Sequence, residues 1–529
     1  MRDRILLGGR IRFEGARRGS PPAALGLSRG RIVAAGSERE VRSYPLRDPE
    51  LVRLDGAAVL PGFVEAHCHL KAYSIACENL DLEGIATMEE AVEKVAERAA
   101  RALPGTWILG RGWNKNLWPG PRTPDRAPLD RAAPAQPVAL WSHDGHVLWA
   151  NRRALEETGF WSQVPAGDGG RFEIDPDTCE PTGIVTERMA DLVREKLPLP
   201  DRVATRRAIR AGLDRLARLG ITTAHTFEGC DDLSIYQELE HERELPLRLV
   251  VHFAEEELHH AIKLGLRSGF GSDRLALGGV KVYLDGALGS QTAHFLEPYA
   301  GLGGNHGVEV TTREAFSLIA AEAQGAGIVP IVHAIGDRAN RVALDVFETY
   351  PAPPGLAFPR RIEHAQTLHP DDVPRFGRLG VLASMQPCHI FQDIATAERY
   401  LEGRARRSFP LASLARAGAA IAFGSDAPIE DPDPRRGLFA AVTRQRPDGT
   451  PAGGWTPEER IGIEAALDAY TQGGALASGF AGRRGRVQPG FDADLVVLSR
   501  DPAEVEPDEL LGLRVLRTIV AGEDVFAEG

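Results

Sequence analysis

Eight short apolar runs, each of strand length, place the strongest constraint on how this 529-residue chain can fold. They read AAVLPGFVEAH, GITTAHTFE, LRLVVHFA, LALGGVKVYLDG, GIVPIVHAIG, RRIEHAQ, GVLASMQP and AAIAFGSDA. Amphipathic helical stretches lie between them, which is the pattern of a parallel sheet with crossover helices. Seven of the runs fall between positions 220 and 427 at spacings of roughly 20 to 50 residues, suited to β-loop-α units. Eight such units close a (β/α)8 TIM barrel, an α/β fold.

The interval after the first run is too long for one helix, so a lid or substrate domain is expected at residues 76–204, inserted into a barrel made of 59–75 and 205–482. Within the insert, ATMEEAVEKVAERAARAL sets Thr87 and Glu90 at capping-box spacing and places Val92, Val95, Ala96, Ala99 and Leu103 along one helical face. Gly220 is positioned to end the helix that precedes the second run. Residues 1–58 and 483–529 both read as short strands punctuated by Gly and Pro, with Arg29-Gly30 turning a hairpin, so the two termini are expected to pair into one small β-sandwich.

A chain with 43% apolar and 26% charged residues is globular, and this length predicts two or three domains. The net charge of -12, without long runs of Lys or Arg, argues against nucleic acid or an anionic membrane as the main partner, leaving a small molecule. The five scattered cysteines fit free thiols in a reducing compartment. MRDRILLGGRIRFEG has no signal-peptide core and no long apolar stretch follows, so a cytoplasmic location is expected.

The first run ends in EAHCHL, where strand alternation turns His67 and His69 to one side and Cys68 to the other. Two imidazoles side by side suggest a metal. In a TIM barrel the site lies at the C-terminal ends of the strands. There the fourth run carries Lys281, the fifth ends at His333, the sixth at His364 and the eighth at Asp426. None of these polar groups is needed for packing, and together they signal a site. Glu363, next to His364 in a strand, is expected to point away from it and to be structural. Cys230 is a candidate bridging thiolate or a buried inert thiol; Cys388 and His389 could line the pocket or serve the core or surface.

These motifs, with GGVKVYLDGALGSQTA, HAIGDRA, RIEHAQ, GSDAP and QPGFDADLVVL, resemble the amidohydrolase superfamily, and within it the amidohydrolase 3 (YtcJ-like) family of metal-dependent hydrolases. The resemblance covers nearly the whole chain and implies a TIM barrel with a β-sandwich built from both termini. It also implies metal ligands at His67, His69, Lys281, His333, His364 and Asp426, and two divalent ions, with zinc the first choice and iron or manganese alternatives. An ammonium cannot ligate a cation. Lys281 therefore enters such a site as a carbamate formed with CO2, or else remains a plain lysine beside a single metal.

The activity implied is hydrolysis of a non-peptide C-N bond, in an N-acyl or N-formyl amine or a cyclic amide, by a metal-activated hydroxide with Asp426 as general base. Deaminases of the superfamily carry a glutamate three residues after the fifth-strand histidine, where this chain has Gly336. A lactonase or esterase, and a non-catalytic regulatory or ligand-binding protein, are the other readings, and a homo-oligomer is an open expectation. Substrate contacts are expected from Trp113, Asp144 and His146 in the insert, with Asn151 near them, and from Asp285 and Gln291, with His294, around the GALGSQTA loop.

Overall fold

The computed structural model describes residues 2–12, 23–119, 124–143, 146–165, 170–227, 229–352 and 355–528, apart from the side chains of residues 230 and 231. The expected roles of Asp144 and the Cys230 thiol lie outside the described residues. Two compact units form, one from Met1–Tyr73 with Ile209–Gly529 and one from Ser74–Ala208.

In the first unit all eight runs become strands of one sheet: β1 (Phe63–Cys68), β2 (Ile221–Phe227), β3 (Arg248–Ala254), β4 (Leu275–Tyr283), β5 (Pro330–Ala334), β6 (Arg361–His364), β7 (Leu382–Met385) and β8 (Ile421–Phe423). They pair in parallel in sequence order. At the seam Cys68 bridges to Ala427, Asp426 N–H donates to His67 O (2.7 Å) and His69 N–H donates to Ala427 O (2.8 Å). This nearly closed α/β barrel is the TIM barrel expected, and its seam runs beside three of the candidate ligands, His67, His69 and Asp426.

The outward sides of the strands are apolar because helices cover them. Ile221, Leu249, Val332 and Ile362 pack with Leu213 and Leu216 of the helix Arg202–Arg218, Phe316 of Arg313–Gly325 and Phe347 of Asp337–Thr349. Gly220 ends the first of these helices at φ +85°, a conformation that disfavours side chains, and a Cβ there would lie 2.7 Å from Val496.

The termini form two facing sheets. One orders Arg31–Gly36, Ala24–Ser28, Arg4–Leu7 and Glu50–Arg53; the other orders Arg10–Ile11, Ala58–Pro61, Leu495–Leu498, Val515–Val520 and Glu523–Ala527. Leu6, Leu25, Ile32, Val59, Leu495 and Ile519 fill the space between them. Arg29 (φ 49°) and Gly30 (φ 76°) make the hairpin turn, both in the left-handed region that a tight two-residue loop requires.

The second unit is a six-stranded sheet ordered Gly170–Ile174, Pro181–Glu187, Val147–Ala150, Val138–Ser142, Ile108–Trp113 and Leu80–Asp81. Its helix Met88–Arg101 is capped by the Thr87 hydroxyl, which accepts from Glu90 N–H, and it buries Ala91, Val95 and Ala99. Leu103 lies past the helix end and is 78% exposed, so the apolar face is one turn shorter than the sequence pattern implies. Among the described residues no helix is long and apolar enough to cross a membrane.

Candidate metal centre

The barrel brings all six expected ligands to the C-terminal ends of its strands. His67 Nε2 and His69 Nε2 each lie 3.4 Å from Asp426 Oδ1, and the ligand atoms of the three residues fall within 4.8 Å of one another. His333 and His364 form a second group with ring centres 4.5 Å apart, and the His364 ring is 5.0 Å from that of His67. Phe227 of β2 makes a floor: its ring stacks on His67 at 4.2 Å and lies 4.4 Å below Lys281 Nζ.

One expectation is corrected here. Glu363 does not point away from the site; its Oε2 is 2.5 Å from His67 Nδ1. Alternation along β6 does turn Arg361 and Glu363 inward and Ile362 outward. What fails is the assumption that His364 continues the alternation. His364 has φ 72° and Ala365 φ 42°, and this left-handed kink swings the imidazole back inward beside Glu363. Asp426 (φ 60°) is held in the same region, so two candidate ligands sit on strained backbone.

Below the Phe227 floor the barrel interior is polar. Arg361 donates through Nη2 to Ala66 O (2.7 Å) and Ser384 Oγ (2.7 Å), and through Nη1 to His225 Nδ1 (3.1 Å). His225 Nδ1 is 3.0 Å from His252 Nε2, and His225 Nε2 is 2.8 Å from Ser478 Oγ. Glu65 Oε1 accepts from His67 N–H (3.0 Å) and Ser425 N–H (2.9 Å), tying β1 to the segment that carries Asp426.

The electrostatics suit a cation at the rim. Burial, then the charge of Lys281, pushes His67 down to about 4 and His333 down to about 3. Burial and the neighbouring His333 hold His364 well below the usual imidazole range. All three are therefore neutral, with lone pairs to offer. Burial alone would raise the Asp426 carboxyl, but the surrounding imidazoles, His69 among them through its contact at 3.4 Å, lower it below the ordinary carboxylate value. Burial pushes the Lys281 ammonium down to about 8, against the pull of Glu363 and Asp426.

Lys281 Nζ, His364 Nδ1, His389 Nε2 and Asp426 Oδ1 are buried without a hydrogen-bond partner. Leaving a buried polar atom unpaired costs about 1–3 kcal/mol, so a cluster of them is an arrangement made for something else. Imidazole nitrogens and a carboxylate are the donors zinc takes, and the residues present fit a divalent ion. His389, which the sequence left open, belongs here: its Nε2 lies 3.9 Å from Asp426 Oδ2 and its ring stacks 6.0 Å from His364. Cys388 instead packs with Phe391, Phe439 and Ala440, away from the imidazoles, and Cys68 donates weakly to His225 O.

The residues expected to touch substrate are mostly engaged in local structure. Asp285 is 2% exposed and spends both oxygens on backbone amides, accepting from His294 N (2.8 Å), Ile335 N (3.0 Å) and Gly336 N (2.8 Å). It is a clamp for the loop after β4 rather than a substrate contact, and burial raises it to about 7 despite those bonds. Gln291 folds its amide back on its own loop, donating to Leu288 O and Gly289 O, while the neighbouring His294 contributes its backbone to the Asp285 clamp. In the insert, Trp113 is 2% exposed, donates to Leu140 O (2.8 Å) and stacks with Trp118, which makes it a packing anchor. Asn151 caps the helix Arg152–Glu157 and also satisfies Val138 N–H and Gln136 O. His146 is exposed and pairs with Glu187 at 3.0 Å.

A family model described as the amidohydrolase family matches residues 50–526. Protein LONG AFTER FAR-RED 3 of Arabidopsis thaliana is 32% identical, the match covering 95% of this chain and 88% of that one. Putative amidohydrolase YtcJ of Bacillus subtilis (strain 168) is 30% identical, covering 96% of each. N-substituted formamide deformylase of Arthrobacter pascens is 27% identical, covering 99% of this chain and 98% of its own. Among solved structures, a metal-dependent hydrolase from Pyrococcus furiosus, described as uncharacterized, superposes with a TM-score of 0.76 at 30% identity over 95% of this chain and 100% of that chain.

Proposed function

Because the chain belongs to the amidohydrolase family, whose solved relative is a metal-dependent hydrolase, we propose that it hydrolyses a non-peptide C-N bond of a small molecule, an N-acyl or N-formyl amine or a cyclic amide, at a paired zinc site. The observation that carries this reading is the set of buried, unpartnered donor atoms on Lys281, His364 and Asp426 among neutral imidazoles at one end of the barrel.

In this reading His67, His69 and Asp426 would hold one ion, and His333 and His364 the other. Lys281 would join the set as a carbamate: its neutral amine adds to CO2, an N-C bond forming as one C=O π pair moves onto oxygen, and the amine proton is released to solvent. When bound, the ions supply an acidified water and an electrophile for the substrate carbonyl. Asp426 takes a proton from the attacking water at Oδ2, the oxygen facing His389, and returns it to the leaving nitrogen. His389, 3.9 Å from that oxygen, stands beside the transfer without a hydrogen bond to it. Phe227 walls off the polar interior below.

Deamination is disfavoured by a specific contact. A Cβ at position 336, where deaminases carry their acid, would lie 2.1 Å from His294 O, so the loop path that Asp285 enforces admits only glycine. The deformylase relative makes N-formyl amines the first compounds to screen. The free thiols of Cys179 and Cys388 support a reducing, cytoplasmic setting.

The test is a panel of N-formyl amines, N-acyl amines, cyclic amides and lactones offered to zinc-loaded protein. Release of amine by wild type and none by Asp426→Asn supports the reading. Turnover of lactones alone moves it to an esterase, and no turnover with intact zinc binding favours a ligand-binding role.

A further inference from the structure

Resting on the metal-site reading, we propose that Glu363, clamped by Arg361, is a positioning residue that fixes His67 in its Nδ1–H form and turns Nε2 toward the metal. Glu363 is fully buried and receives Arg361 Nε–H at one oxygen and Nη2–H at the other (3.0 Å), so it is the ionised partner of a guanidinium and can only accept. The 2.5 Å contact with His67 Nδ1 therefore requires the proton on that nitrogen, leaving the lone pair on Nε2, which faces Asp426 Oδ1.

Arg361 has no freedom to move away. Its Nη2 also donates to Ala66 O and Ser384 Oγ, so the same guanidinium holds the backbone just before His67 and the carboxylate that holds the His67 ring. Its Nη1 donates to His225 Nδ1. The deeper histidines make that nitrogen an acceptor. Gly279 N–H donates to His252 Nδ1 (2.9 Å), so His252 carries its proton on Nε2 and points it at His225 Nδ1. His225 Nε2–H then donates to Ser478 Oγ, which donates to Gly474 O (2.8 Å). With both deep imidazoles neutral, Arg361 Nη2 shares its two hydrogens among Ala66 O, Ser384 Oγ and Glu363 Oε2, and His225 Nδ1 accepts from both Arg361 Nη1 and His252 Nε2.

The clamp also sets the charge. Arg361 cancels Glu363, so the carboxylate orients His67 without adding net negative charge below the metal. This separates it from a carboxylate acting by charge donation, and the two make different predictions for an amide in its place.

The experiment compares zinc affinity, by competition with a chromophoric chelator, and the visible spectrum of the cobalt-substituted protein, in wild type, Glu363→Ala and Glu363→Gln. The expected result is a loss of roughly 10- to 100-fold in affinity for Glu363→Ala, the usual effect of removing a carboxylate behind a ligating histidine, with an altered cobalt spectrum. Glu363→Gln, which keeps an acceptor for Nδ1–H, recovers most of that affinity. Leu6→Ala in the terminal sandwich lowers thermal stability without moving either readout. Should Glu363→Ala fail to fold because Arg361 is stranded, the double variant Arg361→Met/Glu363→Ala removes both charges and is expected to show the same affinity loss. Wild-type affinity in the alanine or double variant overturns the positioning role, and a glutamine variant as weak as alanine overturns it in favour of charge donation. A wild type that binds no zinc is a different failure, since it removes the metal reading itself and this inference with it.

Discussion

The rim of the barrel and the insert both carry the histidines, acids and aromatics that a sequence reading picks out as functional, yet the two regions treat them in opposite ways. In the insert each described candidate is locally engaged: Trp113 donates to a backbone carbonyl, Asn151 makes four hydrogen bonds through its side chain, and His146 pairs with Glu187. At the rim Lys281 Nζ, His364 Nδ1 and Asp426 Oδ1 are buried and unpaired, and His364 and Asp426 stand on left-handed backbone. Residue type alone does not separate structural from functional polar groups, and neither does one unpartnered atom, since Trp141 Nε1 in the insert is such an atom; at the rim such atoms fall among candidate ligands.

The largest difference between the two regions is expected from Lys281→Ala. It is expected to lower metal content and to reduce turnover on the order of 10³-fold, about 4 kcal/mol of transition-state stabilisation, while the circular dichroism spectrum stays that of the wild type. Trp113→Ala should do the reverse, costing about 3–5 kcal/mol in the stability of the insert, read by denaturant titration, with metal content unchanged.

A third effect comes from the polar layer under the rim. Burial, then Arg361 for His225 and His225 for His252, holds both imidazoles well below their ordinary value of 6.5. The unfolded chain thus binds more protons below that pH, so this contribution to stability is complete above 6.5 and is lost as the pH falls from there. Glu65 and Asp285, raised by burial to about 8 and about 7, act with the opposite sign between their unfolded values and these. The expected result for metal-free protein is a fall in melting temperature on acidification below 6.5 that is shallower in His252→Asn; an equal slope in the two proteins would count against the assignment.

Asn151→Ala should cost about 1–3 kcal/mol through the lost helix cap and the buried amides it serves, measured as a shift of the unfolding midpoint. His146→Ala is expected to change stability by less than about 1 kcal/mol, its pair with Glu187 being exposed, and to leave turnover alone. A loss of turnover in His146→Ala with full metal content would restore its role as a substrate contact.

Most of the barrel was legible because its signal is periodic. Eight apolar runs at β-loop-α spacing became eight parallel strands, and the rule that sites lie at strand C-termini located six residues that meet there. Glu363 was misread because alternation is a property of extended backbone, and the φ of 72° at His364 leaves no trace in the letters RIEHA. His225 and His252 stood in plain view inside apolar runs, where a polar residue facing the barrel axis was the available signal. Asp285 follows a strand end just as the ligands do, and only the three amides converging on it reveal a clamp. Leu103 failed for the ordinary reason that a helix end moves by a turn more easily than a helix appears or disappears.

The measurement that bears most directly on the paired-metal account is the metal content of protein purified without added metal, by elemental analysis, alongside Lys281→Ala. Near two zinc ions per chain in the wild type, falling to one or none in the variant, is the predicted result. A wild type that stays near zero after incubation with zinc and bicarbonate would contradict it.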